Sequence, residues 1–277
     1  MQNKLTLKGR TYNLEHNTLI MGILNVTPDS FSDGGHFYDT GKAIEHALRM
    51  AAEGAHIIDI GGESTRPGHQ SVCAAEEAAR VIPVVRAVCA ATEIPVSIDT
   101  YKAPVAREAL AAGAAMLNDV WGGQKDKDML TLAAEANVPI CLMHNRDEAL
   151  YDDLMAEIKE DLLESAAMAQ DFGVRKENII LDPGIGFGKT PAHNLVVLQR
   201  LEELTALGYP LLLGTSRKSV IGKVLDLPVE ERVEGTAATV AYGITRGSAI
   251  VRVHDVQHMS RVARMTDAML RGGFYYG

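Results

Sequence analysis

Each short apolar run in this sequence ends in polar residues, and those residues sort into two chemistries. Asp99, Asn118 and Asp182 close the runs VSID, MLND and NIILD. Two carboxylates and an amide brought together can recognise a flat heterocycle with a guanidine-like edge of N–H donors and acceptors. The second set is cationic: Arg66, Lys218 and Arg252, with His254 two residues past the last. Joined by the hydroxyls of Thr65 and Ser219, this set would hold a phosphate or diphosphate. Arg252 and His254 occupy alternate positions of an apolar strand, IVRVHD, and therefore face the same side.

A diphosphate neutralised by cations is a good leaving group, so a reaction at such a site needs no nucleophile from the chain. None is evident: there is no nucleophile elbow, no HExxH and no Ser–His pair at a recognisable spacing. A magnesium ion held by few protein ligands and by the phosphates would suit this chemistry, and Asn25, ending the first apolar run, is placed to be one of those ligands. The stretch DPGIGFGKT (182–190) resembles two nucleotide motifs and satisfies neither. A Walker A loop needs glycine where Pro183 stands, and a dinucleotide fingerprint needs one where Lys189 stands. Gly184, Gly186 and Gly188 are instead a loop that leaves room for a ligand, with Phe187 as an aromatic wall. Residues 27–35, TPDSFSDGG, form a polar loop around one aromatic, Phe31, and have the composition of a lid.

The elements that would position these residues repeat. Apolar runs occur at 19–24, 56–60, 96–99, 116–119, 139–144, 178–182, 211–214 and 250–255. Between most of them lie stretches with helical periodicity, such as KAIEHALRMAAEG, EEAARVIPVVRAVCAA and PVAREALAAG. Strand–helix alternation at this spacing predicts βαβ units, and eight in series predict a closed (β/α)8 TIM barrel, an α/β fold, over residues 1–277 as a single domain. LTLKGRTYNL predicts a short N-terminal β-hairpin across the barrel bottom. All the strand C-termini of such a barrel open on one face. One polar strand end is as readily a helix cap as a functional group; eight in eight mark a site.

Hydrophobic residues make up 47% and charged residues 23% of the 277, with a formal net charge of −9. That balance suits a large soluble core and argues against a broad nucleic-acid or anionic membrane surface. Three cysteines without metal or disulfide spacing, no apolar leader core and no apolar run of bilayer length predict a cytoplasmic protein.

In order along the chain, MGILNVTPDSFSDGG, GGESTRPG, SIDT, LND, LDPGIGFGKT, GTSRKS and IVRVHD resemble the motifs of bacterial dihydropteroate synthases over nearly the whole length. That resemblance implies a transferase of folate biosynthesis. It would join 6-hydroxymethyl-7,8-dihydropterin diphosphate to p-aminobenzoate in an SN1-like step, releasing diphosphate. It implies that Asp99, Asn118, Met143, Asp182, Lys218 and Arg252 bind the pterin, with Asp99, Lys218 and Arg252 catalytic. Asn25, Thr65, Arg66, Arg252 and His254 would hold the diphosphate, and Asn25 would also meet Mg2+. Phe31, Pro67, Phe187, Lys218 and Ser219 would enclose p-aminobenzoate, where sulfonamides would compete, and the chain would form a homodimer through its C-terminal helices. The loop LMHNRDEALYDD departs from the longer LMHMxGxP-type loop of many relatives, so no role beyond that of Met143 carries over to it. Two other readings share the pterin contacts. A pterin-dependent methyltransferase would not need the diphosphate cations, and a catalytically silent paralogue should have lost some of them.

Overall fold

A computed structural model describes residues 4–26, 40–63 and 72–272. Two antiparallel strands, β1 (Lys4–Leu7) and β2 (Arg10–Asn13), meet through a two-residue turn in which Lys8 and Gly9 both have positive φ, 49° and 74°. That turn twists in the sense a tight hairpin requires. Eight parallel strands follow: β3 (Leu19–Asn25), β4 (Ile57–Gly61), β5 (Val96–Asp99), β6 (Met116–Asp119), β7 (Ile140–Met143), β8 (Ile179–Asp182), β9 (Leu212–Leu213) and β10 (Ile250–Val253). They pair in sequence from β3 to β8, with β10 between β3 and β9. The ring closes between β8 and β9 by a single bridge, Leu181 to Leu211, where the Leu181 N–H donates to the Pro210 carbonyl at 3.0 Å. The fold is a (β/α)8 barrel with one thin seam. The seam has a local cause: Pro210 offers no N–H and Gly214 already belongs to the next loop, which leaves β9 two ladder residues.

The helices are α1 (Thr40–Ala52), α2 (Ala74–Ala91), α3 (Ala103–Ala111), α4 (Asp128–Ala136), α5 (Leu154–Asp171), α6 (Pro191–Gln199), α7 (Glu202–Thr205), α8 (Ser219–Leu225), α9 (Val233–Thr245) and α10 (Val256–Arg271). Helical periodicity missed α6 and α7. The start of α6 is nonetheless written in its cap, where the Thr190 hydroxyl accepts the His193 N–H and Pro191 sits in the first turn. None of the described helices is long and apolar enough to cross a membrane.

Period-two alternation divides every barrel strand between two environments. Ile58, Ile60, Val96, Ile98, Leu117, Leu142, Ile179, Leu181, Val251 and Val253 point outward and pack under the helices. The inward residues change character with height. Near the bottom, Leu19, Met21, Ile57, Met116, Cys141, Ile180, Leu212 and Ile250 form a second apolar cluster with Leu5, Leu7, Tyr12 and Leu14 of the hairpin. Two residues further along the same strands, Ile57 gives way to Asp59, Met116 to Asn118, Ile180 to Asp182 and Ile250 to Arg252. The hairpin is thus a plug, and the apolar layer above it is the floor of a polar chamber.

Leu7, at 1% exposure, belongs to that plug. Leu7→Ala is expected to lower unfolding free energy by about 2–4 kcal/mol, since a buried leucine leaves a cavity in a close-packed layer. Denaturant midpoints check this, and a loss below about 0.5 kcal/mol would mean that the hairpin only rests against the barrel.

Candidate active site

The chamber is organised by Arg252. Its Nε donates to Asp59 Oδ2 at 2.6 Å and its Nη2 to Asp99 Oδ2 at 2.6 Å, so one guanidinium spans two strands. Asp59 Oδ2 also accepts from Asn118 Nδ2 at 3.0 Å. Asp59 is fully buried and the Arg252 side chain is 18% exposed. Burial alone would oppose the arginine's charge, but Asp59 and Asp99 more than offset it and raise its pKa. Asp99 is pushed upward by burial first; Asp59 and Glu77 add to the shift, while Arg252 and Lys218 oppose it. Asp182 is raised by burial to about 6, against the Gly184 N–H that donates to its Oδ1 at 2.7 Å and the charges of Lys218 and Arg252. Among the described residues, Asp59 Oδ1 and Asp99 Oδ1 are buried without a hydrogen-bond partner. A buried acceptor left unpaired costs on the order of 1–3 kcal/mol, which a ligand donor would recover.

The rim carries the rest of the constellation. Met143, 5% exposed, lies opposite Asp182 in the β7–β8 register. Lys218 immediately precedes α8, and its Nζ lies 4.1 Å from the centre of the Phe187 ring, so two residues assigned to the aromatic amine meet directly. Ser219 opens α8 beside them and is exposed. Asn25 ends β3, and a cleft of about 540 Å3 lined by Asn25, Arg217, His254 and Asp255 extends outward to Arg49 and His258. Phe31, Thr65, Arg66 and Pro67 lie outside the described residues.

His254, expected beside the cations, lies against Ser216. The Ser216 hydroxyl oxygen accepts the His254 backbone N–H at 3.1 Å and lies 3.0 Å from Nδ1. A Ser216 hydroxyl that donates to Nδ1 leaves the ring proton on Nε2. Burial, and then the charges of Arg252 and Arg217, lower the His254 pKa to about 3, so the ring is a neutral donor at physiological pH. Ser216 is in turn held by its neighbour. Arg217 has φ 58°, an uncommon conformation for a residue with a Cβ, and its guanidinium grips Asp255 by two bonds of 2.6 and 3.0 Å.

Not every polar strand end enters the chamber. Asp119 faces away from Asn118 and accepts the Trp121 and Gly123 N–H groups, both at 2.8 Å; it shapes a loop. Asp255 restrains Arg217, and His144 lies against the loop after β8. Asp59, Ser216 and Arg217 received no role from the sequence. Strand parity was the available signal for Asp59, which is two residues beyond the inward Ile57. Among the described residues, no three His, Cys, Asp or Glu side chains cluster as a metal site. The amide oxygen of Asn25 is a hard donor at the rim, and this fits magnesium that keeps waters and phosphate oxygens as its other ligands.

A barrel whose mouth holds this carboxylate–amide–arginine set is, by comparison with known proteins, a pterin-binding enzyme: the family model so described matches residues 21–254. A dihydropteroate synthase of Bacillus subtilis is 58% identical over 261 residues, covering 94% of this chain and 92% of that protein. A Clostridium difficile dihydropteroate synthase, solved in the presence of pteroic acid, has a TM-score of 0.92 at 56% identity over 94% of this chain and 99% of that one. The Xanthomonas albilineans dihydropteroate synthase with 4-aminobenzoic acid also superposes at 0.92, with 42% identity, 98% of this chain and 99% of that chain. The chain belongs to the dihydropteroate synthase family.

Burying Asp182 as an anion opposes folding above about pH 6, where its carboxyl ionises in the folded chain, and ceases to matter below the ordinary carboxylate pKa. Asp182→Asn keeps an acceptor for Gly184 and carries no charge. It is expected to be more stable than the parent at pH 8, by on the order of 2 kcal/mol, with the gap closing as pH falls toward 4. Denaturant midpoints at the two pH values test this; an Asn variant less stable at pH 8 contradicts it.

Proposed function

We propose that this chain condenses 6-hydroxymethyl-7,8-dihydropterin diphosphate with p-aminobenzoate to give 7,8-dihydropteroate and diphosphate, as a cytoplasmic enzyme of folate synthesis. The observation that carries this reading is the common inward face shared by Asp99, Asn118 and Asp182, with an unpartnered Asp99 oxygen among them. The Phe187–Lys218 contact lies at the same mouth of the barrel.

The pterin's guanidine-like edge would donate to Asp182 and Asp99, with Asn118 completing the pattern and Met143 lining the pocket. Arg252 would stack on the ring and reach the nearer phosphate. Asn25, Thr65, Arg66 and the Nε2–H of His254 would hold the rest of the diphosphate. Asn25 would hold a magnesium ion, whose chemistry when bound would be to neutralise charge on the leaving group. Departure of diphosphate breaks the methylene C–O bond and leaves a cation delocalised into the pterin ring. Asp99 is suited to stabilise it electrostatically, from a site fixed before the reaction begins. The aniline nitrogen of p-aminobenzoate, held between Phe31, Pro67, Phe187, Lys218 and Ser219, then forms the new C–N bond and loses a proton. Sulfonamides copy the flat aniline and would compete there. Exposed Met265, Met269 and Leu270 on α10 give the C-terminal helix an apolar face suited to a homodimer.

Purified protein with Mg2+, the pterin diphosphate and p-aminobenzoate is expected to yield dihydropteroate and diphosphate in equal amounts, with a sulfonamide raising the apparent KM for p-aminobenzoate. Lys218→Ala is expected to raise the KM of both substrates at least about tenfold, because one side chain serves both pockets. No turnover despite ligand binding would identify a silent binding protein. KM values within about twofold in Lys218→Ala would refute the shared role of Lys218.

A further inference from the structure

The loops after β7 and β8 are locked together by one lysine, Lys189. Lys189 Nζ lies 2.7 Å from His144 Nδ1, 3.1 Å from the Phe187 carbonyl oxygen and 3.2 Å from the Gly184 carbonyl oxygen. Burial lowers the Lys189 pKa to about 7. In its ammonium form its three hydrogens are taken by three chain acceptors, which gives Lys189 a positioning role. His144 is prepared as an acceptor from its other side. Its Nε2 lies 3.1 Å from Asp161 Oδ2, which places the ring proton there and leaves the Nδ1 lone pair for the lysine. Burial and the nearby charges of Lys189 and Arg146 keep the imidazole neutral.

Around this pair the two loops interlock. Gly184 and Gly188 have positive φ, 66° and 52°. A Cβ at Gly184 would collide with the His144 carbonyl oxygen, and one at Gly188 would stand 2.7 Å from that of Arg146. Only glycine permits both the backbone conformation and the approach. The Tyr151 hydroxyl donates to the Gly188 carbonyl at 2.7 Å, while Arg146 binds Asp161 at 2.8 Å and Glu157 at 2.6 Å. Phe187 therefore sits between two tethered glycines, its N–H donating to the Gly184 carbonyl at 3.0 Å and its ring against Lys218.

We propose that Lys189 and His144, braced by Tyr151 and Arg146, are positioning residues that fix the Phe187 wall and so set affinity for the aromatic amine more strongly than for the pterin, which they reach only through the Gly184–Asp182 hydrogen bond. This rests on the reading of Phe187 as a wall of the p-aminobenzoate pocket. It gives the loop LMHNRDEALYDD, which departs from many relatives, a task here: it is the scaffold on which the glycine-rich loop is mounted.

Steady-state kinetics of the full chain test this through the split between the two KM values. Lys189→Met is expected to raise the KM for p-aminobenzoate about tenfold and that for the pterin diphosphate by no more than about threefold, the latter through Gly184 and Asp182. His144→Leu should behave in the same way. His144→Gln, which restores an acceptor, should stay within about threefold of the parent for p-aminobenzoate. Tyr151→Phe removes one hydroxyl and serves if the lysine variant does not fold; it should raise the same KM about threefold. An unchanged p-aminobenzoate KM in both Lys189→Met and Tyr151→Phe overturns the proposal, as does a parallel rise of both KM values. Phe187→Ala separates the two levels of the argument. If it raises the p-aminobenzoate KM while Lys189→Met does not, only the positioning role falls. If Phe187→Ala itself changes nothing, the pocket reading falls, and the positioning role with it.

Discussion

The architecture of the chamber depends on one guanidinium held between two buried carboxylates. Asp59 and Asp99 come from adjacent strands, and without Arg252 their negative charges would share a site of low dielectric. With it, each carboxylate gives one oxygen to the arginine and keeps one. Breaking such a buried pair from one side costs roughly 3–5 kcal/mol, because a charge is left uncompensated. The arrangement therefore fixes three side chains at once, and it leaves Asp99 with an oriented acceptor that has no partner among the described residues. Preorganisation of this kind is what a developing cation requires, since the stabilising charge needs no rearrangement when diphosphate departs.

The barrel makes that arrangement possible through parity and height. A strand that turns Ile57 inward must turn Asp59 inward as well, one layer higher. Four strands repeat this change from apolar to polar, so the hairpin plug and the polar chamber are two levels of one stack. Outside the chamber, the rim is set by hydrogen bonds rather than packing. Arg217 holds a left-handed conformation against Asp255, and the neighbouring Ser216 lies within hydrogen-bond distance of His254 Nδ1. A neutral His254 adds no further charge to be buried at the rim.

Much of this was legible in the residues. The strand positions, the hairpin, and the inward places of Asp99, Asn118, Asp182 and Arg252 follow from alternation and from the way a barrel gathers its strand ends. The missing part has a physical pattern. Asp119 and Asn118 are neighbours in sequence, yet one shapes a loop and the other faces the chamber; strand-end position alone does not separate them. Asp59 received no individual role because its partner, Arg252, is 193 residues away. Helix α6 escaped because its apolar residues are not segregated to one side, although its cap was readable. The tautomer of His254 and the three acceptors around Lys189 depend on distances that no spacing in the sequence encodes.

The Asp59–Arg252–Asp99 bridge is expected to prepare the chamber for the reaction. What tests this is kcat/KM for the pterin diphosphate in Asp59→Asn, a change that keeps the side chain's shape and removes its charge. A loss of about 100-fold is predicted, equivalent to roughly 2.7 kcal/mol of transition-state stabilisation. A value within about threefold of the parent would contradict the account. It would mean that Arg252 and Asp99 hold their geometry without the buried carboxylate beneath them.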